Sequence, residues 1–208
     1  MFDAIFFDLD GTLVDTESLA LTSGLQAFAD LGHPVDPAFM HGLVGKSQPQ
    51  SVALIVAAFP KLDLDQFHSL WNAGFEALMQ DGLPLKPGAV ELLGMLEQPL
   101  GLVTSSGRAG AHHKLGLAGL AHHFQTVVTF DDVATPKPAP EPYLVAADRL
   151  GVDPARCLVF EDSDIGAEAA HRAGCIVVQV PDVAPTDGRF ARHLAGDLLA
   201  GARAAGII

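Results

Sequence analysis

Residues 2–12 read FDAIFFDLDGT. Phe2 to Phe7 is a short, almost continuously apolar run, and aspartates follow at positions 8 and 10 with glycine at 11. An apolar run that does not alternate fits a strand buried on both faces, as in a parallel sheet covered by helices. Two carboxylates at its exit place charge at the carboxyl end of that strand, which is where open α/β sheets hold their ligands. Positions i and i+2 of a regular strand face the same way, so Asp8 and Asp10 start out on one side. Gly11 then lets the chain turn sharply.

Four further runs of the same kind follow: Leu100–Thr104, Thr126–Thr129, Cys157–Phe160 and Cys175–Val180. From the second onward they begin about 20 to 30 residues apart, the spacing of strand–helix–strand units. Helical patterns fill the gaps. Pro142–Leu150 carries proline in its first turn and ends at Gly151, and Ile165–Ala173 ends at Gly174, which suits helix starts and stops. The pattern predicts an α/β fold: a doubly wound, Rossmann-like, mostly parallel sheet of five strands.

The interval between the first two strands is longer. About ninety residues separate Phe7 from Leu100, whereas one crossover needs roughly thirty. Ala89–Leu96 can serve as that crossover. The remainder reads as helix throughout: Leu21, Leu25 and Phe28 before a stop at Gly32; then Val52, Ile55, Val56 and Phe59; then Leu64, Phe67, Trp71, Phe75 and Leu78, all at helical spacing. The expected organisation is a helical insert at 16–83 within a core made of 1–15 and 84–208. Pro84 and Pro87-Gly88 mark the return.

The chain has 208 residues, a formal net charge of −13 and 49% hydrophobic residues. Such a charge argues against coating nucleic acid, which needs a basic stripe. It leaves room for a small phosphate held by one lysine, backbone N–H groups and a metal ion. No apolar run approaches the ~20 residues of a membrane span, and MFDAIFF lacks the basic flank of a signal peptide. Cys157 and Cys175, without a CxxC pair, suit buried positions in a reducing compartment. A soluble, cytoplasmic protein is expected, without nucleic-acid or membrane partners. With no coiled-coil or large apolar surface element evident, a monomer is expected too.

The strand ends collect the chemistry. After the first run come Asp8, Asp10 and Gly11; after the second, Thr104-Ser105-Ser106-Gly107; after the fourth, Glu161-Asp162-Ser163. Thr135-Pro136-Lys137-Pro138 lies between the third and fourth. Packed carboxylates repel unless a cation neutralises them or one takes up a proton. Oxygen donors with few protein ligands suit Mg²⁺, which keeps waters and takes phosphate oxygens. Prolines at 136, 138, 140 and 142 push their predecessors toward extended conformations, holding Lys137 on a stiff loop.

The segment Asp8-Leu9-Asp10-Gly11-Thr12 resembles the first motif, DxDGT, of the haloacid dehalogenase-like (HAD) superfamily. Thr104 resembles the second motif, Lys137 the third and Glu161-Asp162 the fourth, in matching order over essentially the whole chain. The insert resembles the family's C1 cap, in the branch of β-phosphoglucomutase and small sugar-phosphate phosphatases. The resemblance implies that Asp8 is a nucleophile forming an aspartyl-phosphate. It implies Asp10 as general acid and base, with its backbone carbonyl on Mg²⁺. Asp8, Glu161 and Asp162 would complete the metal site. The Thr104 hydroxyl, the Ser105 N–H and Lys137 would hold the phosphate and offset its charge. Because dehalogenases and phosphonatases of the family lack the second aspartate, Asp10 favours phosphate-ester chemistry.

Gly45-Lys46-Ser47 is not a P-loop, since the required earlier glycine is Met40. In a C1 cap the stretch resembles the substrate-specificity loop, which makes Lys46 and Gln48 candidate substrate contacts. The phosphoglucomutase branch carries a cap histidine and a cap arginine where this chain has Ala20 and Gln48, so a bidentate phosphate clamp is missing. Hydrolysis is therefore expected over mutase chemistry, with Lys46 as a partial stand-in for the arginine in the mutase alternative. A non-catalytic binding module would be expected to lose Asp8 or a motif IV acid, and none is lost. The pairs His112-His113 and His122-His123 project in different directions and read as surface residues rather than zinc ligands.

Overall fold

A computed structural model describes residues 2–43 and 48–208; the side chain of Gln48 also falls outside the description. Lys46, expected to face substrate, therefore lies outside the described residues, as does the Gln48 side chain.

The strands are β1 (Ala4–Phe7), β2 (Leu100–Val103), β3 (Thr126–Val128), β4 (Cys157–Glu161), β5 (Ile176–Gln179) and β6 (His193–Leu194). They form one sheet in the order β3-β2-β1-β4-β5-β6, and every pairing is parallel. β1 lies between β2 and β4, with Ile5 opposite Leu100 on one side and Leu158 on the other. All residues of β1, β2 and β4 are buried, which explains why they read as unbroken apolar runs. The doubly wound α/β fold is as expected, but the sheet has a sixth strand beyond the five. β6 has two residues, one of them exposed, so no apolar run betrays it; its pairing with β5 at Val178 and Gln179 makes it a strand.

The helices around this sheet are α5 (Ala89–Met95), α6 (Arg108–Ala118), α7 (Glu141–Leu150), α8 (Asp164–Arg172) and α9 (Leu198–Ala204). The Ser163 hydroxyl caps α8 by accepting from the Gly166 N–H at 3.1 Å, satisfying a donor that the helix start leaves open. Gly151 ends α7 at φ 67°, a left-handed conformation costly for any residue with a Cβ. Apolar side chains from both faces of the sheet seal the core. Phe7 stacks on Phe160 at 5.0 Å, and Phe6, Tyr143 and Val159 belong to one buried cluster.

The chain divides into two compact units, one of residues Met1–Asp15 and Pro84–Ile208, the other Thr16–Leu83. At the junction the outgoing and returning chains pair, Asp15 N–H to Pro84 O and Lys86 N–H to Leu13 O. The second unit is helical: α1 (Thr16–Asp30), α2 (Pro37–His41), α3 (Gln48–Ala58) and α4 (Leu64–Asp81). Phe28 is its centre, with the rings of Phe67, Phe59 and Phe39 at 4.4, 5.3 and 5.7 Å. Helices α1 and α4 approach closely because Gly74 faces Ser23; a Cβ there would lie 2.9 Å from the Ser23 hydroxyl. In α3 only Ile55 of the expected apolar face is fully buried, while Val56 is exposed. From Val52 to Ala58 that helix is apolar all round, so periodicity could not choose its inner face. The short α2 carries too few residues for a periodic signal, although Asp36 caps it through the Ala38 N–H. Among the described residues no helix is long and apolar enough to cross a membrane.

Candidate active site

The strand order reverses direction at β1 and β4, and the crevice beyond their carboxyl ends is the expected ligand position of such sheets. Asp8 follows β1 directly and Glu161 ends β4. A cavity of about 280 Å³ lies here, lined by Asp8, Asp10, Thr104, Ser105, Lys137 and Asp162, together with Ser106, Ser163 and Ile165. Residues from four separate stretches of sequence thus meet at one rim, and each of the core residues singled out from the sequence is present except Glu161, which lies beneath it, fully buried.

Lys137 organises the floor. Its ammonium donates to Asp8 Oδ1 at 2.8 Å, to Glu161 Oε1 at 2.6 Å and to the Val103 carbonyl at 2.8 Å. These are all the donors an ammonium has, so Lys137 offers a ligand its charge rather than a further hydrogen bond. Burial opposes that charge, but Asp8 and Glu161 outweigh it and hold the lysine's pKa above its ordinary value. Glu161 also accepts from the Tyr143 hydroxyl at 2.6 Å. Burial first, then the charge on Glu161, pushes the Tyr143 phenol upward, so it stays a donor. The TPKPAP segment forms a tight turn, with the Ala139 N–H on Pro136 O.

Asp8, Glu161 and Asp162 each offer a carboxylate oxygen, all within 4.8 Å of one another. One lysine does not balance them. Burial first, then the neighbouring acids, raises the pKa of both Asp8 and Asp162 against the opposing pull of Lys137. Gly11 makes the close approach of Asp162 feasible: a Cβ at residue 11 would lie 2.5 Å from its carboxylate oxygen. Buried oxygen donors short of positive charge fit a hard divalent cation.

Around Asp10 the donors are different. Lys114 Nζ lies 2.5 Å from Asp10 Oδ1, and the Ser106 hydroxyl donates to Asp10 Oδ2 at 2.8 Å. The Thr104 hydroxyl accepts from the Ser106 N–H at 3.0 Å, which leaves its own proton to donate into the cavity. Neither Lys114 nor Tyr143 belongs to a motif of the sequence, yet both bond to acids of the site. For Lys114 a signal existed: Ala111, Lys114 and Leu115 form the buried stripe of α6, and a lysine rarely occupies such a position unpaired. The two cysteines are buried, and burial pushes their thiols up to about 12, consistent with packing rather than reactivity.

A family profile described as haloacid dehalogenase-like hydrolase matches residues 5–180. The chain is 34% identical over 187 residues to validoxylamine A 7'-phosphate phosphatase of Streptomyces hygroscopicus subsp. limoneus, covering 86% of this chain and 85% of that protein. It is 34% identical over 185 residues to fructose-1-phosphate phosphatase YqaB of Escherichia coli, covering 86% and 96%. Among solved structures, a HAD family hydrolase from Deinococcus radiodurans R1 with bound phosphate and sodium superposes with a TM-score of 0.85 at 28% identity, over 98% of this chain and 94% of that one. CbbY from Rhodobacter sphaeroides in complex with phosphate gives 0.69 at 28% identity, over 97% and 96%.

Proposed function

The chain belongs to the haloacid dehalogenase-like hydrolases, and on that premise we propose that it is a Mg²⁺-dependent phosphatase of a small phosphorylated metabolite, a sugar or polyol phosphate. The observation that carries this is the placement of two aspartates with different surroundings beside one cavity. Asp8 sits on the Lys137 ammonium among the metal-capable acids, while Asp10 is held by Ser106 and Lys114. Different surroundings suit different roles, one as nucleophile and one as proton carrier.

In the first step an Asp8 carboxylate oxygen bonds to phosphorus as the ester P–O bond breaks. Asp10 delivers its proton to the departing alcohol oxygen. In the second step water attacks the aspartyl-phosphate, gives its proton to Asp10, and releases phosphate and the Asp8 carboxylate. The Thr104 hydroxyl and the Ser105 N–H hold non-bridging oxygens, and Lys137 offsets their charge. Asp8, Asp162, Glu161 and the Asp10 carbonyl would hold Mg²⁺, which when bound neutralises the gathered carboxylates and phosphate. Two relatives act on validoxylamine A 7'-phosphate and on fructose 1-phosphate by their names, and another is called hexitol phosphatase A. Polyhydroxylated phosphate esters are therefore the substrate class we favour. Ala20 and Gln48 continue to speak against a mutase.

The test is phosphate release from a panel of sugar, polyol and glycolate phosphates with Mg²⁺, for the wild type and Asp8→Asn. We expect turnover of at least one polyhydroxylated ester and none by the variant, with its fold retained. Absence of wild-type turnover across the panel, or activity surviving in Asp8→Asn, would overturn the assignment. Isomer exchange stimulated by a sugar bisphosphate would instead support the mutase.

A further inference from the structure

The least expected group in the core is Lys114. Only 11% of its side chain is exposed, although it lies in the middle of α6, away from the motif residues in sequence. Burying an ammonium is costly unless it is paired and hydrogen-bonded. Its partners are Asp10 Oδ1 at 2.5 Å and the Ser106 hydroxyl at 2.8 Å, and Ser106 in turn donates to Asp10 Oδ2 at 2.8 Å. The three side chains close a ring of hydrogen bonds around one carboxylate. Lys114 itself does not line the cavity, whereas Asp10 and Ser106 do.

We infer that Lys114 is a positioning residue for proton transfer by Asp10. The inference rests on the acid–base role proposed above for Asp10. An aspartate turns about two side-chain torsions, and its outer torsion is broad and weakly restrained. A proton donor works only when held within hydrogen-bond reach of the oxygen it serves. Lys114 anchors Oδ1 from the helix behind the loop, which leaves Oδ2 as the working oxygen. Oδ2 shares the Ser106 hydroxyl, a group that can donate to it or accept from it by rotating its own hydrogen. When Oδ2 carries the proton, Ser106 turns to accept, or releases it, and the proton passes from Oδ2 to the ester oxygen as the P–O bond breaks. Oδ2 then regains the Ser106 bond as a carboxylate. The ammonium keeps its bond to Oδ1 throughout, so neither it nor Ser106 gains or loses a proton overall.

The leaving group distinguishes this role from general stabilisation. An alkyl alkoxide needs a proton to depart, and p-nitrophenolate does not. The ratio kcat/KM reports only steps through transfer to Asp8, before water enters. The experiment compares kcat/KM on p-nitrophenyl phosphate and on the best alkyl phosphate of the panel, for wild type, Lys114→Met, Lys114→Arg, Ser106→Ala and Asp10→Asn. Loss of positioned acid catalysis should cost Lys114→Met about 100-fold on the alkyl ester and less than about fivefold on the aryl ester. Lys114→Arg, which keeps a cation within reach of Oδ1, should recover most of the alkyl activity. An equal fall on both esters, or alkyl activity within about threefold of wild type, would overturn the inference. Should Lys114→Met fail to fold, Ser106→Ala, which removes the bond to Oδ2, decides by the same leaving-group comparison, while Lys114→Arg should show no alkyl-selective loss. Asp10→Asn separates the two levels of argument: if it lacks the alkyl-selective loss, the acid assignment itself fails, whatever Lys114 does.

Discussion

Replacing Lys137 by methionine tests the electrostatics of the site without relying on turnover. Methionine keeps an unbranched stem of similar length, so little cavity is created. What disappears is the ammonium that lies 2.8 Å from Asp8 and 2.6 Å from Glu161, with 4% of the lysine side chain exposed. Removing one partner of a buried ion pair costs about 3–5 kcal/mol, because the other charge stays buried and unpaired. For a chain of this size each kcal/mol moves the melting midpoint by about 2–4 °C, so the midpoint should fall by roughly 6–20 °C. The fall should depend on pH. In the wild type, burial and the neighbouring acids already raise Asp8 from its ordinary 3.8 to about 7. A carboxyl raised in the folded state contributes stability at low pH and loses it as pH rises through the folded value. Removing the lysine takes away the charge that holds Asp8 down and raises its carboxyl further, so the penalty is largest where the wild type has Asp8 ionised. Thermal unfolding followed by circular dichroism, without added metal, at pH 5 and pH 8, provides the measurement. A fall at pH 8 at least twice that at pH 5 is expected. Equal falls at both pH values, or less than about 2 °C at pH 8, would refute the electrostatic account of the site.

The same sign governs metal binding: without metal, the folded protein holds more protons on Asp8 and Asp162 than the unfolded chain does. Its melting midpoint should therefore carry a contribution that falls as pH rises from 5 to 8, and saturating Mg²⁺ should offset it, adding about 2.7 kcal/mol at 100 times the dissociation constant. A Mg²⁺ effect no larger at pH 8 than at pH 5 would count against these carboxylates as the site. At Gly166 an added Cβ would lie 2.0 Å from the Glu161 carboxylate, displacing the acid that orients Lys137 and Tyr143. Gly166→Ala should thus destabilise the protein by about 1–3 kcal/mol and cut phosphate release sharply. Gly94→Ala, in α5 with nothing within 4 Å, should instead stabilise by about 0.5–1 kcal/mol; similar behaviour of the two variants in melting and turnover assays would contradict the packing described.

Most of the core strands were legible because burial on both faces writes itself as an apolar run. Ala4–Phe7 and Cys157–Glu161 sit mid-sheet and announce themselves; His193–Leu194 lies at the edge, half exposed, and does not. Helix ends were legible wherever proline, a hydroxyl or glycine marked them, as at Pro142 and Gly151. The inner face of α3 was not, because the unbroken apolar run at residues 52–58 carries no phase. The carboxylates were legible as a group because each lies at or within three residues of the end of a central strand, so local order already places it at the same rim. Lys114 and Tyr143 were not singled out, since each reaches the site from a helix through the tertiary packing.

The sequence by itself determined five of the six strands, the long helical interval after the first of them, and the identities of the acids and of Lys137. Those are local properties: apolar runs, breakers, and residues at strand exits. The tertiary structure decided how the charges are divided. It gave Lys137 and Tyr143 to Glu161 and Asp8, and Lys114 and Ser106 to Asp10. Two aspartates separated by one residue thereby acquire different environments. That difference comes from desolvation and from partners distant in sequence, which only the folded chain brings within hydrogen-bond reach.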